Sequence, residues 1–128
     1  MSCWIFVIND TDTVFEKRIK EEQWPIFRRT QNRTRLKTND KVIFYKAGKE
    51  GQKFLGSATI GSELKKAGIF DFQLRLTSID VWKKPVAMNE VINDLDFIKN
   101  KNSWGNHFQG GVRAITKKEF DAIESVAK

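Results

Sequence analysis

The sequence predicts an α+β fold: a small, curled, mostly antiparallel sheet flanked by helices. Three observations carry that expectation. Apolar runs of strand length cluster in the middle of the chain and do not alternate with helices throughout, which argues against a doubly wound parallel sheet. The stretch "IFDFQLRLT" alternates Phe70, Phe72, Leu74 and Leu76 with Asp71, Gln73, Arg75 and Thr77, so one face is apolar and the other wet. After Ser78 the phase moves to Ile79 and Val81, and a bulge near Thr77–Ser78 accounts for the shift; bulges help sheets curl toward barrels.

The elements follow in order. "CWIFVI" is a continuous apolar run closed by "NDTDT", and it reads as a buried strand followed by a turn. Several residues from Asn9 to Thr13 suit a helix N-cap. "VFEKRIKEEQW" places Phe15 and Ile19 one turn apart, which predicts a helix ending near Trp24–Pro25, because the residue before a proline disfavours helix. "RRTQNRTRLKTND" is a polar, basic loop. "KVIFYKAG" is a second buried strand, "KEGQ" a turn, and "KFLGSATI" its hairpin partner. Gly56 within that partner marks a bulge or a close backbone approach.

Further on, "MNEVINDLDFI" spaces Met88, Val91, Ile92 and Leu95 as a short amphipathic helix, with Asp94 and Asp96 on its wet face. "SWGNHFQGGVRAIT" reads as a tight corner in which Trp104 and Phe108 plug the barrel and Gly110 and Gly111 supply conformational freedom. "ITKKEF" closes the chain with a capping box: Thr116 as N-cap, Glu119 reaching back, and Ile115 with Phe120 as the hydrophobic staple. The 128 residues suit one domain, 1–128.

Composition narrows the function. One cysteine, Cys3, excludes an intramolecular disulfide framework and a multi-cysteine metal site. Together with the absence of a signal-peptide pattern this reads as cytoplasmic. No apolar run approaches membrane-spanning length, so no membrane partner is expected. His107, the sole histidine, has no carboxylate or thiol beside it to form a catalytic pair. No HExxH, CxxC or phosphate-loop pattern occurs. No catalytic residue, cofactor or metal ion is therefore expected, and Cys3 reads as a small core hydrophobe.

Binding is what remains. The formal net charge is +7 and the pI about 9.6, a balance that suits a polyanion. Arg28, Arg29, Arg33, Arg35 and Lys37 crowd the segment after Trp24, where they suit a phosphate backbone. Trp4 and Trp82 lie within strand-like runs and read as core. Trp24, beside the basic loop, reads as a pocket wall on which a base stacks.

Taken together, "CWIFVIND", the tryptophan followed by "RRTQNR", "NDKVIFYKAG", "FLGSATI" and above all "KNSWGNHFQGGVRAITKKEFDAI" resemble the EVE-domain family of the PUA-like superfamily, related to YTH domains. The resemblance spans nearly the whole chain. It implies a partly open β-barrel wrapped by helices, with a concave pocket that relatives use for a modified base. It also implies that Trp24 is a cage wall and that Asn9, Asp10 and Asp12 hydrogen-bond the base. A second cage wall would come from "GSELKKAGIF", where Leu64 or Phe70 takes the place of the tryptophan seen in YTH relatives. Asn32, with Arg29, falls where the family carries polar contacts; Trp104 and Arg113 would touch the rim. Similar modules stand at the N-terminus of McrBC-type restriction proteins, which implies fusion to, or association with, a restriction ATPase.

The resulting expectation is a non-catalytic nucleic-acid-binding module, for DNA or RNA, that reads a methylated or otherwise modified base flipped into an aromatic pocket. A sensor of a free nucleoside or nucleotide and a plain RNA-binding PUA-like module are the alternatives. An enzyme acting on nucleic acid would need a catalytic constellation around His107, and a module cut from a larger protein is a further reading.

Overall fold

A computed structural model describes residues 2–8, 12–26, 32–47, 52–66, 72–95 and 111–127, with the backbone alone at 12–14 and 33. The expectations for Asn9, Asp10, Arg28, Arg29, Phe70, Asp96, Trp104, His107, Phe108 and Gly110 lie outside the described residues, as do those for the side chains of Asp12 and Arg33.

Strand β1 (Cys3–Ile8) leads into helix α1 (Asp12–Glu21) and then into β2 (Gln23–Ile26). A 3-10 turn at Arg33–Arg35 precedes β3 (Lys41–Lys46), β4 (Lys53–Ile60), the two-residue β5 (Lys65–Lys66) and the long β6 (Phe72–Ala87). Helix α2 (Met88–Val91) continues as a 3-10 turn to Asp94, and β7 (Val112–Ile115) feeds helix α3 (Lys117–Ala127). The described strands form one sheet in the order β2-β6-β4-β3-β1-β7, with β5 also paired to β6. Only the β1–β3 pair is parallel among these pairings, so the sheet is mostly antiparallel, as expected.

The continuous apolar run of β1 has a direct cause, for both faces of the sheet are covered. On one face Trp4, Phe6 and Ile8 join Val42, Phe44, Leu74, Leu76 and Phe15 of α1. On the other, Cys3 and Ile5 join Ile43, Tyr45, Phe54 and Trp82, and α2 and α3 close over them with Met88, Val91, Phe120 and Ile123. Trp4 and Trp82 are core residues, as their strand positions predict. The Trp82 indole N–H has no acceptor among the described residues.

Two local expectations hold in detail. Ser78 has a φ of 50°, and the β4–β6 register slips between Ser57 and Thr59, which is the expected bulge. At Gly56 an added Cβ would run into the Asp80 carbonyl oxygen and lie 3.0 Å from the Val81 Cα, so the glycine is required by close strand approach. The new phase holds at Ile79, which packs on the face of Leu74 and Leu76, but Val81 is 49% exposed, and Trp82 is buried on the opposite face, in the cluster that α2 and α3 cover. A second slip follows. From Phe54 to Gly56 β4 advances two residues while β6 advances five, from Val86 back to Val81.

The end of α1 also differs. The helix stops at Glu21, and Glu22 turns the chain with a φ of 56°. The Leu76 N–H donates to the Glu22 carbonyl at 2.8 Å, and Gln23–Ile26 then pairs antiparallel with Arg75–Phe72. Pro25 therefore sits in a strand rather than after a helix. It is tolerated because β2 ends the strand order among the described residues, with β6 on one side alone.

The final helix starts as its sequence predicts. The Thr116 N–H donates to Glu119 Oε1 at 2.9 Å and the Glu119 N–H donates to Thr116 Oγ1 at 3.1 Å. Ile115 and Phe120 lie in one core cluster. No helix among the described residues is long and apolar enough to cross a membrane.

Candidate functional site

The basic segment after Trp24 is held by its few polar, non-basic members. Asn32 adopts a φ of 64°, a left-handed geometry that asparagine tolerates. Its Nδ2 donates to the Val112 carbonyl of β7 at 3.2 Å, and its Oδ1 accepts from Arg35 Nη1 at 3.2 Å. Asn32 thus ties the loop to the sheet's edge strand and orients Arg35, whose guanidinium lies 5.5 Å from the centre of a Trp4 ring.

Asp40 anchors the other end. Its carboxylate is 4% exposed and accepts from Trp4 Nε1 at 2.9 Å, from the Ser2 N–H at 2.9 Å and from the Lys37 N–H at 3.0 Å. A buried charge is sustained when donors converge on it in this way. The Asn39 N–H and the Ile60 N–H link the same turn to the end of β4, through Ile60 O and Asp40 O. Lys37 itself projects to solvent.

Between this anchored turn and the β4–β5 link runs an open groove of about 560 Å³, lined by Thr34, Leu36, Lys37 and Thr38 on one side and Glu63 and Leu64 on the other. Its volume falls within the range of small-ligand sites, about 300–1,000 Å³. Leu64, the expected substitute wall, is half-buried and packs against the cluster that contains Trp24. Glu63 lines the groove as well, and the sequence reading did not use it. The signal was present: "SELKK" puts an acid and two lysines directly after a hairpin strand.

Trp24 lies deeper than its sequence position predicts. It is 2% exposed and stacks on Phe44 at 4.9 Å between ring centres, with Phe6 at 5.6 Å and Phe15 edge-on at 6.4 Å. The Arg18 guanidinium carbon lies 4.6 Å from the centre of the Trp24 ring. Arg18 is half-buried, and that burial pulls its guanidinium below the ordinary value. Neither face of the Trp24 indole is open. Arg18 covers the ring, a residue that the sequence reading did not single out.

On the α3 side of the sheet a second cleft, of about 370 Å³, has Cys3 in its wall beside Lys41 and Phe120. Burial first, and the nearby Asp121 carboxylate next, push the Cys3 thiol up. A raised thiol is a poor nucleophile at neutral pH. Among the described residues no group of three or more His, Cys, Asp or Glu side chains is placed to hold a metal ion.

Known proteins share this architecture over nearly its full length. A UPF0310 protein of Pyrococcus abyssi is 29% identical over 144 residues, an alignment that covers 98% of this chain and 99% of the relative. The YTH domain of Zygosaccharomyces rouxii MRB1, solved in complex with N6-methyladenosine RNA, superposes with a TM-score of 0.68 at 14% identity, covering 98% of this chain and 87% of that one. The N-terminal domain of Staphylothermus marinus McrB superposes with a TM-score of 0.56 at 13% identity, covering 96% and 93%. The fold in common is PUA-like, a curled sheet with helices against it. The EVE domain model matches residues 2–126, every described strand included, and the chain belongs to the EVE-domain family.

Proposed function

We propose that this chain is a non-catalytic nucleic-acid-binding module that reads a modified base. The observation that carries the reading is the anchored basic segment. Asp40 and Asn32 hold a lysine- and arginine-bearing turn against the sheet, where Lys37 borders a groove of ligand size. Ordered cations beside an apolar-floored groove suit a phosphodiester strand, whose charge supplies affinity while base contacts supply specificity. The fold shared with a YTH domain solved on N6-methyladenosine RNA supports the same reading.

In this reading Arg28, Arg29, Arg33, Arg35 and Lys37 meet phosphates, with Asn32 holding Arg35 in place. A flipped or single-stranded base stacks against Trp24 once Arg18 has moved. Asn9, Asp10 and Asp12 hydrogen-bond its edge, and Phe70 and Trp104 close the pocket around it. Extruding a base from a duplex costs a few kcal/mol, and stacking returns about 1–3 kcal/mol. Affinity is accordingly modest and strongly salt-dependent. The likeness to an McrB N-terminal domain supports a place beside a restriction ATPase.

A binding panel tests the reading: modified and unmodified oligonucleotides, in both sugar types, at two salt concentrations, against the wild type and Trp24→Ala. Binding that favours a modified base and is lost in Trp24→Ala is expected. Binding of free nucleosides with no oligonucleotide binding at low salt would replace it with a nucleoside-sensor function.

A further inference from the structure

The register of the shortest strand separates two adjacent lysines. Lys66 pairs with Phe72 and Lys65 with Gln73. Cross-strand partners share a face of the sheet. Phe72 packs against the cluster that contains Trp24, Ile26 and Leu74, and Leu64 of the groove packs against that same cluster. Lys66 therefore stands on the groove side of the sheet. Lys65 shares the opposite face with Gln73, whose Nε2 donates to Gln23 Oε1 at 2.5 Å. Both lysines are exposed.

We propose that Lys66 and Lys37 are the two cationic banks of this groove, and that a single-stranded nucleic acid lies across it with successive phosphates on the two lysines. The inference rests on the nucleic-acid reading above and adds the path of the strand. Leu36 and Leu64 form the apolar floor beneath one nucleotide. Glu63 lines the same groove. Its carboxylate repels phosphate, so it confines the backbone to the lysines and is left to the base edge, where a carboxylate accepts from an exocyclic amino group. Thr34 and Thr38 complete the wall with hydroxyls that suit phosphate or sugar oxygens.

The register makes the test selective, because two neighbouring residues of the same type and exposure have different predicted roles. The probe is a short fluorescein-labelled oligo(dC), chosen for its exocyclic amino group, and the readout is anisotropy titration across a salt series. Each phosphate contact on a single strand contributes about 0.7 to the slope of log K against log salt. Lys66→Ala and Lys37→Ala should each flatten the slope by about 0.7 and the double variant by about 1.4. Lys65→Ala should leave it at the wild-type value. Equal flattening by Lys65→Ala and Lys66→Ala would reduce the effect to general surface charge and overturn the proposal. Wild-type binding with an unchanged slope in Lys66→Ala overturns it as well while leaving the nucleic-acid reading intact. Absence of wild-type binding even at the lowest salt removes that reading, and this one with it.

Discussion

Asp40→Ala is the most informative single perturbation of this fold, because one buried carboxylate joins the start of β1, the basic turn and an indole. Three donors converge on it: Trp4 Nε1 at 2.9 Å, the Ser2 N–H at 2.9 Å and the Lys37 N–H at 3.0 Å. The bonds are not equivalent. Trp4 is 1% exposed, so its N–H has no water to turn to when the carboxylate is removed. Leaving a buried donor unsatisfied costs about 1–3 kcal/mol. Ser2 and Lys37 are exposed residues whose N–H groups can be rehydrated, so each loses only the net value of a bond to a charged group, less the water that replaces it. Removing a buried carboxylate also relieves its desolvation, which offsets part of the loss. The balance is a destabilisation of about 2–4 kcal/mol. For 128 residues an unfolding entropy of about 2.1 cal/mol/K per residue gives about 4 °C per kcal/mol, hence a fall in Tm of about 7–15 °C. Thermal melting followed by circular dichroism reads this directly. Asp40→Asn, which keeps one carbonyl acceptor, should fall between the two. A Tm for Asp40→Ala within about 2 °C of wild type would refute the reasoning. It would mean that the Trp4 bond contributes nothing net and that the basic turn is held by something else.

Three further outcomes are expected. Gly56→Ala places a methyl against the Asp80 carbonyl and should cost about 1–3 kcal/mol, read as a lower urea midpoint with an unchanged m-value; a neutral result would mean that β6 yields freely at its second register slip. Glu119→Ala removes half of the reciprocal cap on α3 and should cost about 0.5–2 kcal/mol by the same assay, more than Lys117→Ala, whose pair with Asp121 is open to solvent and screened. Arg18→Ala exchanges a cation–π contact of about 0.5–2 kcal/mol for relief of a half-buried charge. Stability should therefore change by no more than about 1 kcal/mol, while iodide quenching of Trp24, isolated by comparison with an Arg18→Ala/Trp24→Phe double variant, rises. Unchanged quenching would show that Arg18 is not what covers the indole.

Much of this molecule is legible in the chain because the relevant forces are local. The start of α3 is written in four consecutive residues, since an N-cap and its N3 partner must lie three apart to exchange hydrogen bonds. The bulge at Ser78 shows as a break in a two-residue alternation. Gly56 marks its own close approach. The central strands β1, β3 and β4 announce themselves as apolar runs because both of their faces are covered, a burial pattern that needs no knowledge of partners.

Trp24 marks where that legibility ends. Before a proline and after a helix, it reads by local rules as a helix end with an open side. Its partner is Leu74, 50 residues on, and pairing with β6 makes it an edge-strand residue facing the aromatic cluster. No local pattern encodes a pairing at that separation. The same holds for the floor of the groove, which Leu36 and Leu64 line together because the turn after Leu36 hydrogen-bonds the end of β4. It holds too for Lys65 and Lys66, identical neighbours that register assigns to opposite faces. The sequence by itself determined the family, the α+β class, the order of its main elements and the position of the basic segment, because periodicity, caps and composition act over a few residues. Tertiary structure alone decided what Trp24 touches, which face of the sheet each lysine of β5 takes and why a buried aspartate holds the loop, because each depends on segments brought together from distant parts of the chain.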